Sequence, residues 1–401
     1  MSLHALKTHC QSPVFPTMLT SGRAGAKRLL HIGVHNSANR NAGDTLLFPV
    51  VRHAFDSLIG PFDWELRQAW QAFDLEEAQR ASRDFDGVVI GGGGLLLRDQ
   101  AGSDVSRSGW QWNSSVEAVQ ALRVPLIVFA IGYNRFRGQP DFDAVFTDHL
   151  RAVAERAPFF GLRNSGSIQA LQRYLPDAQA ARLRRQYCPT NVLWQLYPEH
   201  RRAAQQHDAR QSRVLAFNAA FDRAGHRFGD AQHSLLARVA HAVRSAQDRG
   251  WRIVNVAHKS ADREIEPYLD AAEVDYDTED LTDAGPDAVM AFYARVDLAF
   301  GMRGHAQMIP FGLRRPILSL ISHDKMRFLL EDIQRPAWGV EVDDEALPDK
   351  LARMLHSLET DRAAVHADIA VSQQAVWEET RGNLDWIDHA LLHAGGNAAT
   401  R

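Results

Sequence analysis

The stretch from Asp297 to Leu320 reads DLAFGMRGHAQMIPFGLRRPILSL. It opens with a short apolar run that ends at Arg303 and His305, passes through a short helix to Gly312, and closes on a second apolar run beginning at Pro316. Strand, helix and strand in that order make the repeating unit of a mainly parallel sheet. Both Arg303 and His305 then stand at the carboxyl end of a strand, where ligands gather in open α/β sheets. Arginine offers a planar fork for carboxylate or phosphate, and histidine moves protons near neutrality.

The same alternation extends in both directions. Strands are expected over 29–35, 87–90, 126–132 and 159–163, then over 214–218, 253–258, 298–302, 316–321 and 338–342. Apolar spacing near 3.6 residues predicts helices over 44–58, 115–123, 142–157, 165–175 and 230–249, with Gly250 stopping the last. Trp377, Leu384, Ile387 and Leu391 mark one or two further helices between 360 and 393. The fold class is therefore α/β, with two Rossmann-like domains whose mainly parallel sheets face a cleft, a GT-B-like arrangement, and a C-terminal helix returning to the first domain.

The expected boundaries are a flexible leader over 1–27, an N-terminal α/β domain over 28–196 and a polar linker over 197–213. A C-terminal α/β domain over 214–358, C-terminal helices over 359–394 and a tail over 395–401 follow.

Composition narrows the function. The 401 residues carry 45 Lys and Arg against 49 Asp and Glu, a formal charge of -4, which gives no global field for nucleic acid. Two cysteines, Cys10 and Cys188, argue against a disulfide framework and read as inert thiols in a reducing compartment. No apolar run has the length of a signal-peptide core or a membrane span, so a cytoplasmic protein is expected.

Two further segments carry chemistry. His35 to Leu47, HNSANRNAGDTLL, follows a strand and opens a helix, with Asp44 either capping that helix or facing the cleft. Gly91 to Gly94 follows a buried strand and reads as a turn permitting close approach of a ligand. The run does not complete a G-x-G-x-x-G fingerprint, and no Walker sequence is present. The D-x-D triplets at Asp84, Asp141 and Asp275 arise readily by chance at this acidity, and no metal-ligand spacing accompanies the histidines. Trp110 and Trp112 could stack on a sugar ring or pack a loop.

Taken in order, these motifs resemble the polysaccharide pyruvyl transferase family over about residues 29–330. The resemblance rests on Asn41-Ala-Gly43-Asp44, on Gly91 to Gly94 after Val88, on the strand ending at Gly132, and on Arg163 before Ser165. It is completed by Arg303-Gly-His305, by Gly312 ahead of Pro316, and by Lys325. The sequence departs from the pattern at Gly304, where a bulky aliphatic is usual, at the paired arginines before Pro316, and at Tyr133-Asn-Arg-Phe-Arg after Gly132.

The resemblance implies transfer of a pyruvyl group from phosphoenolpyruvate to sugar hydroxyls of a surface or extracellular polysaccharide or its precursor, with release of phosphate. It implies His305 and Asp44 as catalytic groups and Arg303, Arg163, Lys325, Gly92 and Gly93 at the donor. Asn41, Trp110 and Trp112 are then expected at the acceptor. No cofactor or metal is called for. A lipid-linked oligosaccharide acceptor would bring the chain to a membrane surface; the oligomeric state is open. Two other readings stand beside this one: a GT-B-type glycosyltransferase using a nucleotide sugar, and a non-catalytic glycan-binding relative.

Overall fold

The computed structural model describes residues 26–35, 41–98, 104–209 and 212–393. The expected tail, and all but the end of the expected leader, lie outside the described residues, as does Cys10.

The first sheet contains β1 (Arg28–Gly33), β2 (Asp63–Gln68), β3 (Gly87–Leu96), β4 (Leu126–Tyr133), β5 (Phe159–Leu162) and β6 (Leu183–Arg185). Their order is β2-β1-β3-β4-β5-β6, with every pairing parallel. The second contains β7 (Val214–Asn218), β8 (Arg252–Ala257), β9 (Tyr276–Asp280), β10 (Leu298–Gly301), β11 (Ile317–Ile321) and β12 (Gly339–Glu341). It is also parallel throughout, in the order β12-β11-β10-β7-β8-β9. Central strands such as β4, LIVFAIGY, are covered on both faces and so read as continuous apolar runs. The edge strands β2 (DWELRQ) and β9 (YDTED) are polar and partly exposed, and no apolar run announces them.

In each sheet the chain first builds away from its first strand and then crosses to the other side. These reversals fall between β1 and β3 and between β7 and β10. The crevice beyond the carboxyl ends of strands at such reversals is where α/β sheets bind ligands.

One element differs from expectation. Gly91 to Gly94 lies inside β3 rather than in a turn after it. Gly91 has φ +134°, and a Cβ there would stand 1.9 Å from the Phe129 carbonyl oxygen, so glycine permits β3 to pair with β4. The segment expected as a linker carries a helix, Pro198–Asp208, docked through polar contacts: His200 meets Asp287 at 2.9 Å and His207 meets Asp297 at 3.1 Å.

The helix Arg362–His393 is continuous over 32 residues and spans both halves. Arg362 near its start pairs with buried Asp297 at 2.5 Å. Further along, Glu379 pairs with Arg185 of β6 at 2.6 Å, and the Leu391 carbonyl accepts from the Lys27 ammonium at 2.9 Å. The C-terminal helix thus returns to the first sheet. The helix His305–Gly312 also joins the halves: a Cβ on Gly312 would stand 1.9 Å from the Thr190 carbonyl oxygen. No helix among the described residues is long and apolar enough to cross a membrane.

Candidate active site

The helix Ala42–Leu58 is the first helix after β1. Its N-cap is Asn41, whose side-chain oxygen accepts from the Gly43 amide at 3.1 Å, so Asp44 sits in the first turn rather than at the cap. The Asn41 amide nitrogen donates to Asp44 Oδ2 at 2.9 Å and orients its carboxylate in the cleft. The Ala42 amide donates across the cleft to the His258 carbonyl at 3.1 Å, which fixes this helix end against the second sheet.

Gly43 is explained by His305. A Cβ on Gly43 would stand 2.3 Å from His305 Nδ1, so any side chain there would displace the imidazole. His305 Nε2 lies 3.7 Å from Cys188 Sγ, and that thiol is 3.0 Å from Thr190 Oγ1. Burial, with Arg163 and Lys325 nearby, lowers the His305 pKa to about 3. The ring is therefore neutral at pH 7.

Arg303 and Arg163, both expected at the donor, stand in opposite environments. Arg303 is gripped by fully buried Asp262, with Nε to Oδ2 at 2.6 Å, and pairs with Asp222 at 2.7 Å. Burial opposes its charge, but Asp262 and Asp222 overcome that and hold it firmly protonated. Arg163 is 6% exposed, lines the cleft, and has no hydrogen-bond partner for Nε or Nη2 among the described residues. Burial weakens the hold on its proton, partly offset by Cys188 and Asp44.

Lys325 lines the same cleft, and its ammonium donates to Asn134 Oδ1 at 3.3 Å. Burial together with Arg163 and Arg227 pushes its pKa well below the ordinary lysine value, with Asp222 opposing. Gly304 leaves room beside it: a Cβ there would meet Lys325 Cε only at 3.8 Å. Gly93 lines the cleft, whereas Gly92 packs toward Leu47 and the Ala130 carbonyl within β3 and is not among the lining residues.

The tryptophans do not reach the cleft. Trp110 and Trp112 are fully buried, and Trp110 Nε1 donates to His149 Nδ1 at 2.9 Å. They pack a loop core and present no ring face to a sugar. Gln111 between them does line the cleft. Asp222, Asp262, Cys188 and Asn134 are site residues that sequence reasoning missed, since each is brought in by the fold and none has a motif of its own.

Two parallel six-stranded sheets with the site between them define a GT-B-like fold. A glycosyltransferase from Rickettsia africae is similar in fold, with a TM-score of 0.55 at 13% identity over 92% of this chain and 99% of that one. A putative UDP-N-acetylglucosamine 2-epimerase from Listeria monocytogenes has a TM-score of 0.51 at 13% identity, covering 86% and 90%. The S. aureus MnaA-UDP co-structure has a TM-score of 0.50 at 11% identity, covering 86% and 90%. No curated protein matches the sequence. The family model for polysaccharide pyruvyl transferase matches residues 38–324, and the chain belongs to that family. It is accordingly a transferase.

Proposed function

We propose that the chain transfers the pyruvyl group of phosphoenolpyruvate to two hydroxyls of a surface or extracellular polysaccharide, or of its precursor, forming a cyclic ketal and releasing phosphate. The observation that carries this reading is Arg163. A buried guanidinium with unpartnered nitrogens costs about 1–3 kcal/mol for each unmet donor, a cost that a bound anion removes. Arg163, Arg223, Arg227, Lys259, Arg303 and Lys325 line the cleft, and among the described residues its lining carboxylates are Asp44 and Asp222. This excess of basic over acidic side chains around the cleft suits a donor that carries both a carboxylate and a phosphate.

Arg163 and Lys325 grip the donor carboxylate and phosphate in this scheme, while Arg303 holds the floor of the cleft through its two carboxylates. Bound anion raises the pKa of His305, which then delivers a proton to the donor methylene carbon. One acceptor oxygen adds to the neighbouring carbon and gives its proton to Asp44. The second hydroxyl displaces phosphate. Of the two hydroxyl protons lost overall, one ends on the new methyl group and one on phosphate. The cations stabilise charge on the departing phosphate.

The test is incubation with phosphoenolpyruvate and a panel of glycans bearing free diol pairs, read by phosphorus and proton NMR. Equimolar inorganic phosphate and a new ketal methyl signal are expected, both lost in His305→Ala. Transfer of a sugar from a nucleotide sugar to the same panel, without consumption of phosphoenolpyruvate, would replace this reading with a glycosyltransferase.

A further inference from the structure

The segment Tyr133-Asn-Arg-Phe-Arg, at the end of β4, belongs to the first half of the molecule, yet the side chains of Asn134, Phe136 and Arg137 engage the second. We propose that Asn134, Phe136 and Arg137 form a clasp across the cleft that aims the Lys325 ammonium at the donor, with Asn134 as a positioning residue. The inference rests on the donor reading above for what Lys325 meets, but not for the clasp itself.

Six contacts carry it. Asn134 Oδ1 accepts from Lys325 Nζ at 3.3 Å, and Gly94 makes room, since a Cβ there would stand 2.9 Å from Asn134 Nδ2. Phe136, 3% exposed, places its ring 4.3 Å from His323, whose Nδ1 accepts from the Lys325 backbone amide and caps the helix Asp324–Asp332. Arg223 and Arg227 each lie 5.1 Å from the Phe136 ring centre. Arg137 pairs with Asp324 at 2.6 Å and Glu341 at 3.3 Å.

The clasp is stiffened from within. The Phe136 amide donates to Gln139 Oε1 at 2.8 Å, Arg135 Nε donates to the Pro140 carbonyl at 3.1 Å, and the Asn134 amide donates to Leu96 of β3 at 3.0 Å. Lys325 faces Arg163, Arg227 and Arg303, which work against its charge, Asp222, which supports it, and the neutral rings of His305 and His323. The Asn134 oxygen is a fixed acceptor for that ammonium. It therefore sets both where the charge points and the pH up to which it persists.

The test uses the full chain. Competitive amine labelling across pH, read by mass spectrometry, gives the titration midpoint of Lys325 in the wild type, Asn134→Ala and Asn134→Asp. Asn134→Ala should move the midpoint down by about one pH unit, and Asn134→Asp should move it up. Opposite shifts from two substitutions at one position are not the mark of a general loosening. Should either variant fail to fold, Asn134→Ser, which keeps a shorter acceptor and changes no charge, should shift the midpoint down by a smaller amount. A midpoint unmoved in the folded variants overturns the clasp. Calorimetry with phosphoenolpyruvate separates the two readings. Shifted midpoints with no donor binding by the wild type refute the donor and leave the clasp, while donor binding with unmoved midpoints refutes the clasp.

Discussion

Gly132 lies directly beneath Arg163: a Cβ on Gly132 would stand 2.0 Å from Arg163 Nε and 2.8 Å from its Cδ. The guanidinium occupies the space that a side chain would take at the end of β4. Replacing Gly132 by alanine should therefore expel Arg163 from the cleft. The expected cost in urea unfolding is about 1–3 kcal/mol, the usual range for overpacking, together with loss of donor binding by calorimetry.

The two buried arginines should respond in opposite ways to the same change. Arg303→Met strands Asp262, which is fully buried, and should cost about 3–5 kcal/mol in urea unfolding. Arg163→Met removes a buried charge with no ion-pair partner among the described residues and should leave stability unchanged or raised. Donor binding should nevertheless vanish in the Arg163 variant.

Stability should fall as pH drops from about 6.5 towards 4. Burial lowers His149 and His305 to about 3 and His35 to about 4. Each ring is neutral when folded and takes up a proton in the unfolded chain below its ordinary pKa near 6.5. The stabilisation is complete above about 6.5 and is lost as pH falls towards the folded values. Urea titrations at neutral and at mildly acidic pH check this, and Trp110→Phe, which strips His149 of its indole partner, should lower stability by about 1–3 kcal/mol without affecting donor binding.

Donor binding should be coupled to proton uptake. Burial keeps His305 neutral, with repulsion from Arg163 and Lys325 adding to it, and an anion beside those two cations relieves the repulsion. Calorimetry at one pH in buffers of different ionisation enthalpy should show net uptake below neutrality, absent in His305→Ala.

The strands at the centre of each sheet were legible because burial on both faces leaves an apolar run, as in 214–218, which matches β7. The edges β2, β6 and β9 were not, since a half-exposed strand such as YDTED carries no such run. Gly91 to Gly94 read as a turn because glycine signals conformational freedom without saying whether a turn or a close strand pairing uses it. Among site residues, those tied to a strand end in sequence, Asp44, Arg163, Arg303, His305 and Lys325, all line the cleft. For Trp110 and Trp112 the sequence leaves sugar stacking and loop packing both open, and the structure shows loop core around His149. The Arg303 environment could not be read locally: Asp222 and Asp262 come from segments following β7 and β8 and meet it through the sheet.

Calorimetric titration of the protein with phosphoenolpyruvate, in the wild type and in Arg163→Met, tests the central assignment most directly. Saturable one-to-one binding in the wild type, abolished in a variant that unfolds at the same or higher urea concentration, is the predicted result. Undiminished binding in the variant, or none in the wild type, would contradict the assignment of Arg163 as the donor's anchor.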